Sequence, residues 1–154
     1  MNSSTPPYFS EAQMDFAASP AAVWAVLGDF HGLGKWSRGV RAQPLGSAQQ
    51  GVGAGRRCEI PGLGTVDEVV FQWEPEQRLS YTVTPVSVFG PGIARWRLEA
   101  LGPQKTRVTE RFEYGMRFGV LGALLRVLIV KRKLAQAQPQ ILKMLKKKVE
   151  AGAV

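Results

Sequence analysis

Cysteine and histidine are almost absent from this 154-residue chain, which holds one of each, Cys58 and His31. A single cysteine excludes an intrachain disulfide and fits a reducing compartment, so the cytoplasm is the expected location. One Cys and one His supply neither zinc-ligand spacing nor a Cys–His nucleophilic pair, and neither a metal nor a cofactor is expected. Met1–Pro7 has no basic n-region and no apolar h-region, which argues against a secretory signal. No apolar run reaches the ~20 residues that a bilayer span needs. The segment Phe118–Val130 has only 13. Gly51-Val52-Gly53-Ala54-Gly55 lacks the Gly-Lys-Ser/Thr ending of a phosphate loop and opens no helix. Negative charge is missing from the last quarter: nine Lys and Arg from Arg117 to Lys148 face Glu150 alone, which accounts for the whole net charge of +8.

What remains is an ordinary single domain, 45% hydrophobic and 21% charged, long enough to bury a core without staples. A disordered leader is expected over 1–8, the domain over 9–150 and a disordered tail over 151–154. Period-2 patterning predicts strands near 10–17, 40–48, 55–60, 64–74, 78–85, 93–101 and 105–116. Ser19-Pro20 reads as an N-cap and first helical residue, opening a helix that Gly28 and Asp29 end. Phe30–Trp36 is a loop or a second short helix. A helical pattern covers most of 118–150, and Pro139 predicts a kink or break near 135–138. An antiparallel sheet has an apolar face to bury, and the terminal helix is the element available to cover it. If the sheet curls around that helix, space remains for a pocket.

These elements bring the residues of a resemblance into order. They run from Ala18-Ser19-Pro20-Ala21-Ala22-Val23-Trp24 through Gly28-Asp29-Phe30, Leu33 and Trp36 to Gly51–Arg57. Val66-Asp67-Glu68-Val69, Trp73-Glu74-Pro75, Arg78-Leu79-Ser80-Tyr81 and Thr106-Arg107-Val108-Thr109 follow. Over roughly 8–150 the chain resembles the START-like, Bet v 1-like superfamily, in the SRPBCC polyketide cyclase and lipid-transfer branch. The resemblance implies an α+β helix-grip fold: a seven-stranded curved antiparallel sheet around a long C-terminal helix, with two short helices after strand 1. It also implies a cavity between sheet and helix, with its mouth near Phe30–Trp36, Gly62–Gly64 and Val86–Gly92.

Alternation and resemblance together mark candidate ligand-binding residues: Trp24, Phe30, Trp36, Cys58, Phe71, Tyr81, Val83, Phe89, Trp96, Leu98, Glu110, Phe112, Tyr114, Leu121, Leu125 and Leu128. A filled core is the alternative for each. The face of strand 64–74 is open: Val69, Phe71 and Trp73 share one side, Val66, Glu68 and Val70 the other. Glu110 is the sharpest of the set, because a carboxylate on the apolar face of Val108, Phe112 and Tyr114 must be paired or protonated. Arg57 or Tyr81 is its expected partner, and an ion pair at the strand end is the alternative. Candidates for moving protons are Glu110, Tyr81, Arg57 and His31, although His31 in its Gly-flanked loop also suits a surface position.

Three functions follow. The leading one is non-catalytic binding or transport of a hydrophobic small molecule such as a lipid, a polyketide-like aromatic or an isoprenoid. The second is a cyclase/dehydratase-type enzyme. The third is peripheral membrane association, in which Phe118–Val130 and the basic stretch Arg117–Lys148 meet anionic lipid. A solvated cationic helix face is the plain alternative to the third, and a homodimer is a further option. Arg95, Arg97, Arg107 and Arg111 recur on outward faces without interleaved aromatics, so nucleic acid is not the expected partner.

Overall fold

The computed structural model describes residues 5–152. Seven strands form one open antiparallel sheet: β1 (Tyr8–Phe16), β2 (Arg41–Leu45), β3 (Gly55–Ile60), β4 (Gly64–Glu74), β5 (Arg78–Val83), β6 (Phe89–Gly102) and β7 (Lys105–Met116). Their order across the sheet is β1-β7-β6-β5-β4-β3-β2, so β1 and β2 are the edges. Between these two strands lie α1 (Pro20–Leu27) and a 3-10 segment (Phe30–Lys35). After β7 the chain becomes helical for 34 residues: α2 (Gly119–Leu125), a π turn (Arg126–Val130) and α3 (Lys131–Gly152). This is the helix-grip architecture.

Local chemistry sets each boundary. The Ser19 hydroxyl accepts from the Ala22 amide at 3.2 Å, and Pro20 occupies the first turn of α1. The β7-to-α2 corner is sharper. Phe118 and Gly119 both take positive φ, and a Cβ on Gly122 would lie 1.9 Å from the Arg117 carbonyl oxygen. Gly122→Ala is therefore expected to destabilise the fold by about 1–3 kcal/mol in thermal melting, through forced overpacking. Gly102→Ala, which meets nothing within 4 Å, should stay within about 0.5 kcal/mol.

α3 is fastened along β1. The Gln138 amide donates to the Ser10 carbonyl at 2.9 Å, Lys146 Nζ donates to the Asp15 carbonyl at 3.0 Å, and the Glu150 carboxylate accepts from the Ala17 amide at 2.8 Å. Leu142, Leu145 and Val149 are buried from that helix. The break expected at 135–138 does not occur, and α3 runs through Pro139. One forfeited hydrogen bond costs ~3 kcal/mol, which three buried aliphatic side chains outweigh at about 1.5–3 kcal/mol each. The irregularity falls instead in the π turn.

The leader expected over 1–8 and the tail over 151–154 lie partly outside the described residues. Within them, Tyr8 already pairs with Tyr114, and Ala151 and Gly152 still belong to α3. β6 begins at Phe89, four residues before its expected start, because a bulge between Phe89 and Gly92 lets the loop-side residues rejoin the ladder opposite Met116.

One end of the interior is filled by aliphatic and aromatic side chains. Phe16, Val23, Leu27, Val70, Leu79, Leu98 and Val108 close against Leu142, Leu145 and Val149. Past Trp96 the inner row of β6 drops in size to Ala94 and Gly92, and the Phe112 ring packs over Gly92. Beside Ala94 there is room.

Candidate functional site

The room is a cavity of about 460 Å³ between the sheet and α3, within the range of small-molecule sites. Its walls are mainly apolar: Leu79, Tyr81, Val83, Ala94, Trp96 and Phe112 from the sheet, Leu134, Ile141 and Met144 from α3, with Leu33 and Trp36 from the helical side. Arg38, Pro61, Thr84 and Ala137 are lining residues that are also exposed, so the cavity reaches the surface among them.

Two polar groups enter it from opposite walls. On β3 and β4 the register places Arg56 directly across from Glu68 on the inner face and Arg57 across from Asp67 on the outer face. Arg56 Nη2 and Glu68 Oε2 lie 3.4 Å apart, both buried. Arg56 Nη1 also donates to the Phe30 carbonyl at 2.8 Å, and its guanidinium lies 3.9 Å from the Phe30 ring centroid. Burial works against the Arg56 charge, but the Glu68 carboxylate holds its proton affinity above the usual arginine value. The Cys58 thiol donates to Glu68 at 3.2 Å. Burial, then the Glu68 charge, push that thiol up to about 12, which leaves it unreactive.

The opposite wall carries Glu110, on β7 across from Trp96. The Gln138 side-chain amide donates to its carboxylate, while the Ser10 hydroxyl donates to the Gln138 carbonyl oxygen. Burial raises the Glu110 carboxyl from 4.5 to about 7, despite the opposing Gln138 hydrogen bond. A carboxyl raised into that range is suited to proton transfer near neutral pH. Between the two groups, the Trp96 indole donates to the Tyr81 hydroxyl at 3.2 Å. Burial, then the Glu68 charge, drive Tyr81 well above the ordinary tyrosine range, so it acts as a neutral phenol.

Of the sixteen residues singled out from the sequence, Trp36, Tyr81, Val83, Phe89, Trp96, Glu110 and Phe112 line the cavity. Phe30 lies behind Arg56 and offers its carbonyl. Trp24 packs edge-on against Trp73, with ring centroids 5.1 Å apart, and Leu98 belongs to the packed end. Cys58 is buried behind Glu68, and Tyr114 is covered by Tyr8, Phe89 and Phe112. Phe71 faces outward beneath Arg95. A bulge between Val70 and Gln72 reverses the alternation after it, which turns Trp73 inward while Phe71 stays outside. Leu121 and Leu128 point away from the protein, and Leu125 is only half-buried, because α2 and the π turn run past the end of the sheet.

Arg57 is not the partner of Glu110: it lies outside with Asp67 at 2.8 Å. His31 places Nε2 2.9 Å from the Gly55 carbonyl oxygen, a contact that braces the 3-10 segment on β3. Sequence reasoning missed Arg56, Glu68 and Gln138. Arg56 shares its strand parity with Cys58, already expected inside, and that parity was the available signal. Outside, contrary to the expectation of no interleaved aromatics, exposed Phe71 and Phe9 lie beneath Arg95 and Arg111, while Arg95, Arg107 and Arg111 form ion pairs with Glu113, Asp15 and Glu11. Among the described residues, no group of three His, Cys, Asp or Glu forms a metal-ligand set, and no helix is long and apolar enough to cross a membrane.

No curated protein matches the chain by sequence. Several solved structures share its fold. An aromatase/cyclase from Streptomyces sp. R1128 superposes with a TM-score of 0.75 at 16% identity, over 96% of this chain and 96% of that one. A START superfamily protein from Mycobacterium smegmatis gives 0.72 at 19% identity, over 93% and 97%. Norcoclaurine synthase from Thalictrum flavum, in complex with dopamine and hydroxybenzaldehyde, gives 0.69 at 16% identity, over 94% and 87%. A family model described as polyketide cyclase / dehydrase and lipid transport matches residues 10–150. Covering nearly the whole chain, that match places the protein in the polyketide cyclase / dehydrase and lipid transport family.

Proposed function

We propose that the protein binds a hydrophobic small molecule whose apolar body fills the cavity and whose oxygen substituents meet polar groups at its sides. The observation that carries this reading is the hollow itself: about 460 Å³, walled by aliphatic and aromatic side chains. The Arg56–Glu68 pair offers hydrogen bonds on one wall, and Glu110 offers them on the other. A lipid, a polyketide-like aromatic or an isoprenoid each has this chemistry. Burial of such a body contributes about 25 cal/mol per Å² removed from water, before ordering costs. Native mass spectrometry of gently purified protein is expected to show an adduct that organic solvent extracts. Ala94→Trp, which fills the cavity, should lose it. An adduct carried equally by both proteins would overturn the reading.

A second reading rests on the Glu110 carboxyl, raised to about 7 inside the cavity. In a cyclase/dehydratase-type enzyme this group would pass protons to and from a reactive chain held against Trp96 and Phe112. Glu110→Gln would then abolish turnover of a poly-ketone substrate while leaving its binding intact. Equal loss of both would assign Glu110 to binding alone.

A further inference from the structure

Most of the exposed large hydrophobic side chains among the described residues lie outside the cavity, on one stretch of helix. Val120, Leu121, Leu124, Val127, Leu128 and Ile129 are all exposed, Val120 at 88% and Leu128 at 61%. They recur at helical spacing on α2 and the π turn, and Phe118 extends the patch at its start. The opposite face is the one that packs: Gly122 and Val130 are buried, and Arg126 reaches inward to the Tyr114 hydroxyl at 3.2 Å and over the Tyr8 ring. An ordinary amphipathic helix buries its apolar face, whereas this one turns it outward.

Charge identifies what covers it. Arg117 precedes the patch, and Lys131, Arg132 and Lys133 follow it, all exposed. Those three form no ion pair among the described residues. The one acid after Arg117, Glu150, is held by Lys146 and the Ala17 amide. A second copy of the chain would bring a like net charge of +8 against the same rim, which opposes self-association. A surface that is apolar in the middle and positive at its ends, about 20 Å long at 1.5 Å per residue, complements anionic headgroups with acyl chains beneath them.

We propose that the outer face of α2 and the π turn docks on an anionic lipid bilayer, lying in the interface with its leucines and valines below the headgroups. Leu134, one turn beyond Val130, lines the cavity, so docking holds the cavity wall close to the acyl chains. Docking itself does not depend on what the cavity contains.

Vesicle flotation tests it, with phosphatidylglycerol/phosphatidylcholine vesicles against pure phosphatidylcholine over a salt series. The wild type is expected to bind only the anionic vesicles, and more weakly as salt rises. Leu124→Ser/Leu128→Ser should bind more than tenfold more weakly, and Lys131→Gln/Arg132→Gln/Lys133→Gln about a hundredfold more weakly. Circular dichroism reports whether these variants stay folded. Independently, Leu128→Cys carrying an environment-sensitive dye should shift its emission to the blue on anionic vesicles, the buried Cys58 remaining unlabelled. Three results would overturn the proposal. One is no binding at low salt or no emission shift. Another is unchanged binding by the folded leucine variant, meaning adsorption by charge alone. The last is a dimer, seen in sedimentation, that the leucine variant disperses while vesicles bind neither protein.

Discussion

Arg56→Met is expected to destabilise the protein by about 3–5 kcal/mol in chemical denaturation, the range for removing one member of a buried ion pair. The cost arises less from the lost attraction than from what stays behind. Glu68 is buried beside Cys58 and Val66, and without Arg56 its charge faces only a thiol donor at 3.2 Å. The Phe30 carbonyl loses its partner as well, and the Phe30 ring loses the cation above it. The double variant Arg56→Met/Glu68→Met removes both charges at similar volume. It should recover most of that loss, because a buried pair and its hydrophobic replacement are often close in free energy. A small effect for Arg56→Met alone would mean that water reaches the pair from the cavity. The predicted asymmetry between single and double variants separates burial of charge from simple side-chain packing.

Glu110 has the second large effect, and it acts through pH. Its carboxyl is raised from 4.5 in an ordinary setting to about 7 in the fold. A raised value means that the folded state holds the proton more tightly than the unfolded chain. Its contribution is therefore fully present below pH 4.5 and is lost as pH rises towards 7. At 1.36 kcal/mol per pKa unit the loss amounts to about 3 kcal/mol. Glu110→Gln keeps an oxygen for the Gln138 amide and removes the titration. Its stability relative to the wild type should thus climb between pH 4.5 and pH 8 by about 3 kcal/mol. Asp15 and Asp67 work in the opposite direction on the acid side: hydrogen bonds from Arg107 and Arg57, respectively, lower both carboxyls. What they contribute is present above the usual aspartate value and fades as pH falls below it, in both proteins alike. Parallel stability curves for wild type and Glu110→Gln across that window would show that Glu110 is hydrated rather than buried.

The fold was legible because its signals are local and repeated. Ser19-Pro20 marks one helix start without help from elsewhere, and alternation such as Ala94, Trp96, Leu98 against Arg95, Arg97, Glu99 marks a half-buried strand. The site was only half legible, for reasons that lie in pairing. A bulge after Val70 and another after Phe89 change which side chains face in, and no spacing in the chain announces either one. Arg56 and Arg57 are identical in type, and only the pairing of β3 with β4 assigns one to Glu68 inside and the other to Asp67 outside. Gln138 partners Glu110 across 28 residues of chain. That contact depends on where α3 crosses β1. The helix of Phe118–Val130 is a different case. Its apolar character was plain, but whether it would be buried or left outside depended on where the sheet ends.

The most direct measurement is calorimetric titration of an uncharged apolar probe, N-phenyl-1-naphthylamine, at several temperatures into wild type and Ala94→Trp. An empty apolar cavity predicts one saturable site in the wild type. Its heat-capacity change should be negative, on the order of 0.1 kcal/mol/K in magnitude if a few hundred Å² of apolar surface leave water. Ala94→Trp, folded and equally stable, should show no such site. Equal binding with equal heat-capacity change in the two proteins would place the probe elsewhere and contradict a ligand-binding hollow.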